Sequence, residues 1–154
     1  MSARLSLLLV FLALVGAALA ENARGAAEDY SGMYSFVRDG EFLQITIEDN
    51  EAVTGFISRF GDTENDKGTF LDQFFKSGKL EGNKVSFTTE VIHGSWYKFE
   101  GAFARGRGKS PEEEGYYLLR GTLTRWSEGA DHKTASQQRQ VEFSSFPRDT
   151  SPPK

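Results

Sequence analysis

The chain has 154 residues, with 18 basic and 22 acidic side chains, a formal net charge of −4 and no cysteine. A mildly acidic, mixed surface argues against nucleic acid or an anionic membrane as the main partner, because both reward a basic face. Without cysteine there is no disulfide framework, no thiol nucleophile and no lipid-attachment site, so the fold must hold by its core alone.

At the N-terminus, Arg4 precedes an apolar run from Leu5 to Val15, and small residues follow, ending in Ala18-Leu19-Ala20. That order predicts a signal peptide over 1–20, cleaved after Ala20, and a secreted or periplasmic protein. A membrane span needs about 20 apolar residues, and Gly16 interrupts this run, so no span is expected after cleavage. Arg4 is the one charge removed, which takes the formal net charge from −4 to −5. The remaining residues suffice for one core and are too few for two. They divide into a flexible tail over 21–28, a patterned domain over 29–146 and a disordered tail over 147–154, both tails lacking apolar periodicity.

Alternation of apolar and polar residues marks strands near 32–38, 41–48, 52–60, 73–81, 84–91, 95–105, 115–125 and 139–145. It is cleanest where Leu43, Ile45 and Ile47 interleave with Gln44, Thr46 and Glu48, and where Val85 and Phe87 interleave with Ser86 and Thr88. Phe70, Leu71, Phe74 and Phe75 suit either a strand or two turns of amphipathic helix. Turn signals at Asp39-Gly40, Asp49-Asn50 and Gly82-Asn83 join successive strands as hairpins.

Four glycines each precede an apolar residue by two positions: Gly55/Ile57, Gly78/Leu80, Gly101/Phe103 and Gly121/Leu123. Glycine in a strand permits sharp bending and close approach, so this recurrence predicts a sheet that curls. The expected fold is all-β, a small antiparallel up-and-down barrel of about eight strands, with a two-sheet sandwich as the alternative. Loops of a meander alternate between its ends. Connections 61–70, 91–95 and 126–138 should therefore share one end, the expected mouth, and 106–114 should lie at the other.

Candidate chemistry is sparse. The loop Gly61 to Gly68 carries alternate oxygen donors, but Lys67 and Gln73 stand where a calcium loop needs glycine and glutamate, and it reads as a solvated acidic turn. His93 and His132 with Asp62 or Asp66 could hold a metal only if they converged; their spacing matches no signature, and two histidines in surface turns is the simpler reading. Glu48, Glu90 and Glu100 alternate with apolar residues as outward charges do. Arg105, Arg107 and Lys109 are cancelled by Glu112, Glu113 and Glu114, a polar hairpin tip. No cofactor or metal is expected. On the sixth strand Ser95, Tyr97, Phe99 and Phe103 project one way, and Trp96, Lys98 and Glu100 the other. Core packing accounts for the aromatics; should a pocket exist, Tyr97 and Phe99, with His93 in the adjoining turn, are its candidate binding residues, and Trp96 is an outer or subunit contact.

The stretch Gly78-Lys79-Leu80-Glu81-Gly82-Asn83-Lys84-Val85-Ser86-Phe87-Thr88-Thr89, with Val53-Thr54-Gly55-Phe56-Ile57 before it and Arg120-Gly121-Thr122-Leu123-Thr124 after it, resembles small exported bacterial β-barrel proteins of unassigned function. The strand opening Ser31-Gly32-Met33-Tyr34 is distantly similar to that of avidins and lipocalins, without their tryptophan, and no binding residue is carried over. Three functions follow as expectations. The first is a non-enzymatic barrel that binds a small, partly apolar molecule or an envelope component. The second is a calycin-like isomerase or hydrolase using scattered carboxylates and tyrosines. The third is a structural or inhibitory protein acting through its loops. A polar-lined void would favour the first two, and a filled interior the third.

Overall fold

A computed structural model describes residues 28–149. The expected signal peptide and most of both tails lie outside these residues. Eight strands follow in chain order: β1 Gly32–Ser35, β2 Phe42–Ile47, β3 Val53–Phe60, β4 Phe70–Glu81, β5 Lys84–Thr89, β6 Ser95–Arg105, β7 Tyr117–Glu128 and β8 Thr134–Ser144. Each pairs antiparallel with the next in one eight-stranded sheet, so the expected meander is the observed topology. The three expected turns fall where Asp39-Gly40, Asp49-Asn50 and Gly82-Asn83 stand, with Gly40 at φ 84° and Gly82 at φ 64°, conformations glycine adopts without penalty.

The wall curls until β1 meets the end of β8 through a Tyr34–Ser145 bridge, a Phe146 N to Met33 O hydrogen bond of 2.8 Å, and a Ser144 N to Ser35 Oγ bond of 3.0 Å. Gly101 pairs directly with Gly121 at the waist of the long β6–β7 ladder. A β-carbon on Gly121 would stand 2.3 Å from Glu100 O, and one on Gly101 only 2.6 Å from Cζ of Phe99, whose ring takes the vacated space. The interior is therefore closely packed: Phe87 stacks between Phe75 (4.2 Å) and Phe99 (5.3 Å), and Phe143 packs beside Phe99. Leu43, Ile45, Ile57, Leu119 and Leu123 complete the buried core, against which the half-buried Phe75 packs.

Several boundaries differ from the sequence expectation. Residues 70–75 are strand throughout: Phe74 faces out and Phe75 faces the core, an alternation that sheet pairing with Phe56 and Thr89 favours over a helix. A bulge between Phe75 and Ser77 then reverses the phase of β4. β1 ends at Ser35, because Phe36 N bonds Glu41 O (3.1 Å) and turns the chain inward. The expected long connection over 126–138 is instead the five residues 129–133, since β7 and β8 continue their ladder to Glu128 and Thr134.

On the outside, Trp96 stacks on Trp126 at 5.9 Å across β6 and β7, where the alternation places it. Phe42, Phe56 and Phe74 form a second outer row, and Phe74 is 58% exposed. Of the segment 147–154, Arg148 is described and is tied down, its Nη2 donating to Asp29 O at 2.8 Å and its N to Pro111 O at 2.9 Å. Among the described residues no helix is long and apolar enough to cross a membrane.

Candidate functional site

The connections after β1, β3, β5 and β7 lie at one end, and the strand termini that face it break the apolar pattern together. Glu41 precedes Leu43 and Ile45 on the inward phase of β2; Arg59 follows Ile57 on β3; Thr89 follows Phe87 on β5; Arg125 follows Leu123 on β7. Each is a polar residue in an inward position at the same end of the barrel, and Gln73 of β4 joins them through its pairing with Ile57.

These groups satisfy one another. Arg59, only 2% exposed, donates from Nε to Gln73 Oε1 at 3.0 Å, and from Nη1 to Phe60 O and Asp62 Oδ1, both at 3.3 Å. Its guanidinium lies 5.6 Å from the Tyr97 ring centre. Gln73 Nε2 donates to Glu90 O (2.7 Å) and Ser95 O (2.8 Å), so one amide ties β3, β4 and the β5–β6 turn together. Asp62 also receives Arg125 Nη2 at 2.5 Å, which makes it a carboxylate shared by two arginines. Buried Glu41 accepts from Phe60 N and Arg38 N, each at 3.1 Å. A buried charge needs such partners, since an unpaired one costs several kcal/mol. Burial pushes the Tyr97 hydroxyl above its usual pKa, against the opposing pull of Arg59 and Arg125.

Beyond this network the wall is incomplete. β1 has four residues and β8 has eleven, so the stretch from Thr134 onward has no β1 partner until Ser144. The turn after β1 covers part of the gap, with Phe36 against Tyr97 (5.7 Å) and Phe143 (5.2 Å). What remains is a slot of about 390 Å³ between that turn and β7–β8. Phe36, Tyr97 and Leu123 give it an apolar floor; Arg38, Glu41, Arg125, Gln137 and Arg139 supply its polar groups. This volume is in the range of small-molecule pockets. A larger hollow of about 550 Å³ beside Arg105, Arg120 and Glu142 lies on the outer surface, where Arg120 and Glu142 already pair with each other.

Of the candidates read from sequence, Tyr97 lines the slot. Phe99 is fully buried behind it, packed between Phe87 and Phe143. His93 stands exposed on the rim with φ 48°, its Nδ1 2.7 Å from Asp66 Oδ2, which pins the β5–β6 turn to the β3–β4 loop. Asp66 also accepts from Thr63 Oγ1 (2.6 Å) and Thr63 N (2.7 Å), and these bonds, with His93, hold its carboxyl well below the usual range, at about 2. His132 pairs separately with Glu128 at 2.7 Å, and among the described residues no three metal-ligating side chains converge.

Sequence reasoning missed Arg59, Gln73, Arg125, Gln137 and Arg139. For Arg59 and Arg125 the signal was present, as a charged residue continuing the buried phase of its strand. Arg139 and Gln137 likewise share the phase of Phe143 and Val141. Gln73 was concealed, because the bulge puts it out of phase with Gly78 and Leu80.

No protein-family model matches the chain, and no curated protein does. Solved structures do. The rhizavidin–biotin complex is 14% identical with a TM-score of 0.56, covering 75% of this chain and 99% of that one. Apo short afifavidin is also 14% identical at a TM-score of 0.56, over 79% of this chain and all (100%) of that one. The short afifavidin–biotin complex gives the same identity and score, 14% and 0.56, over 79% and 92%. At this identity the likeness is one of fold, and it agrees with the distant similarity of the opening strand: the chain has an avidin-like, eight-stranded antiparallel barrel architecture.

Proposed function

We propose that the protein is a non-enzymatic barrel that binds a small, partly apolar molecule in the slot between the β1–β2 turn and β7–β8. The observation that carries this reading is the combination of about 390 Å³ of space with an apolar floor and inward polar groups, at the one end where the interior is not filled. Two of the structures similar in fold hold biotin, which supports a binding role for this architecture. Catalysis by carboxylates is less well supported, because Glu41, the carboxylate lining the slot, has its oxygens taken up by two backbone amides. Tyr97 contacts the ligand directly in this reading, and Phe99 holds the floor in place from behind.

The test is a small-molecule panel that includes biotin, screened by ligand-observed NMR against the wild type and Gln137→Trp. Gln137 lines the slot and is exposed, so an indole there obstructs the space without disturbing the core. Hits lost in the variant, at an unchanged melting temperature, support the reading. Hits that persist in Gln137→Trp place binding elsewhere, and a panel without hits removes the proposal.

Export is part of the same proposal and rests on the order of charge, apolar run and A-x-A in residues 1–20. Mass spectrometry of protein from an exporting host should find Glu21 at the N-terminus. Mature protein that retains Met1 or Ser2 would refute it.

A further inference from the structure

We propose that the slot recognises an amphipathic anion, its oxyanion head held by Arg125 and Arg139 and its apolar body laid against Phe36, Leu123 and Tyr97. This rests on the reading of the slot as a ligand site and names the ligand's chemistry. Three observations converge on it.

The first is an imbalance of charge. The chain as a whole is acidic, at −4, yet the groups around the slot are the reverse. Arg38, Arg59, Arg125 and Arg139 face two carboxylates, Glu41 and Asp62, leaving a local excess of two positive charges. A cavity with low-dielectric walls focuses such an excess rather than dispersing it.

The second is an unused donor. Arg125 gives Nη2 to Asp62, but its Nε is buried and has no hydrogen-bond partner. Buried donors are almost always paired, and an unpaired guanidinium N–H is unfavourable unless something else accepts its hydrogen. Arg125 lines the slot, so an acceptor bound there lies beside a guanidinium that is only partly paired.

The third is position. Arg139 and Gln137 stand on the inward phase of β8, opposite Leu123 and Arg125. Arg139 forms no ion pair among the described residues, and both side chains are exposed only because β1 ends short of them. A planar guanidinium fork suits a two-oxygen head, carboxylate or phosphate alike. The apolar floor lies deeper, so the tail points inward and the head outward.

The experiment compares octanoate, octyl phosphate, 1-octanol and octylamine by isothermal titration calorimetry at fixed ionic strength, on wild type, Arg139→Gln and Arg125→Gln. Octanoate or octyl phosphate should bind at least about tenfold tighter than octanol, and octylamine should be weakest, since a charge-assisted bond is worth roughly that factor or more. The stronger of the two anions identifies the head group. Arg139→Gln should weaken the anion about tenfold and leave octanol unchanged, with the same melting temperature as wild type. Arg125→Gln should act in the same direction; because it also releases Asp62, Arg139→Gln decides if that variant fails to fold. Equal affinity for octanoate and octanol, or a preference for octylamine, would overturn the anion assignment while leaving a ligand site in place. Absence of binding by all four, together with a panel free of hits, would overturn both readings.

Discussion

At the closed end of the barrel Tyr30 stacks on Phe103 at 4.3 Å, Tyr34 packs beside it, and Tyr117 meets Tyr30 edge-on at 5.0 Å. At the mouth Glu41, just before β2, and Arg59, Gln73, Ser95 and Arg125 of β3, β4, β6 and β7 take the interior positions instead. The closed end gains from area removed from water and is indifferent to direction; the mouth gains only where donors and acceptors align. An interior filled with rings at one end cannot relax around a guest. The mouth is built on a hydrogen-bonded frame instead, in which Arg59 and Gln73 tie β3, β4 and the β5–β6 turn together while satisfying their own polar atoms. The question of a filled or hollow barrel thus has a divided answer, set by which end of each strand carries the polar residue.

The largest effect expected from this contrast is at the aromatic core. Phe99→Ala removes a ring packed against Phe87 and Phe143 and should cost roughly 3–5 kcal/mol in a urea melt. A loss under about 1 kcal/mol would mean that the core is not the source of stability that its burial implies.

Gln73→Leu tests the other end. It leaves Arg59 Nε and Glu90 O without the partner Gln73 gives them, takes one of two donors from Ser95 O, which keeps Ile92 N, and should cost about 1–3 kcal/mol. The double variant Arg59→Leu with Gln73→Leu should cost less than the sum of the two single changes, since removing both partners leaves fewer orphaned groups. Strict additivity in that cycle would break the claim that they form one frame.

Between the two ends, Gly121→Val forces a side chain against Glu100 O and should destabilise by about 1–3 kcal/mol through overpacking. An unchanged urea midpoint would make the recurrence of glycines incidental to the curl of the sheet.

The smallest effect concerns the rim. The carboxyl of Asp66 sits at about 2 in the folded protein, below its ordinary 3.8. Its contribution to stability is therefore present above about pH 4 and is lost as the pH falls toward 2. Thr63→Val removes the hydroxyl that bonds Asp66, so the variant should lose less stability than wild type between pH 4 and 2 and differ little in shape above it. Identical acid profiles for the two proteins would show that Thr63 does not set this carboxyl. His93→Ala, at an exposed rim position, should stay within about 0.5 kcal/mol at neutral pH.

Period-two alternation and turn chemistry are local, and they carried most of the fold. Ser95, Tyr97, Phe99 and Phe103 project inward and Trp96 outward as their spacing requires, and Asp39-Gly40 and Gly82-Asn83 turn where their backbone preferences put them. Even the polar frame left a trace, since Arg59 and Arg125 occupy buried phases that a charge avoids without partners. Three things were settled only in the folded chain. The bulge after Phe75 shifts phase by one residue, so the alternation on its far side could not report that Gln73 faces inward. The strand rather than helix at 70–75 follows from pairing with β3, a contact between segments that local spacing does not encode. The slot itself arises because β1 stops at Ser35 while β8 starts at Thr134, so that residues 99 positions apart in the chain frame a gap. Alternation determines which face each side chain takes; where the wall fails to close depends on the relative lengths of its first and last strands, which meet only when the sheet has curled.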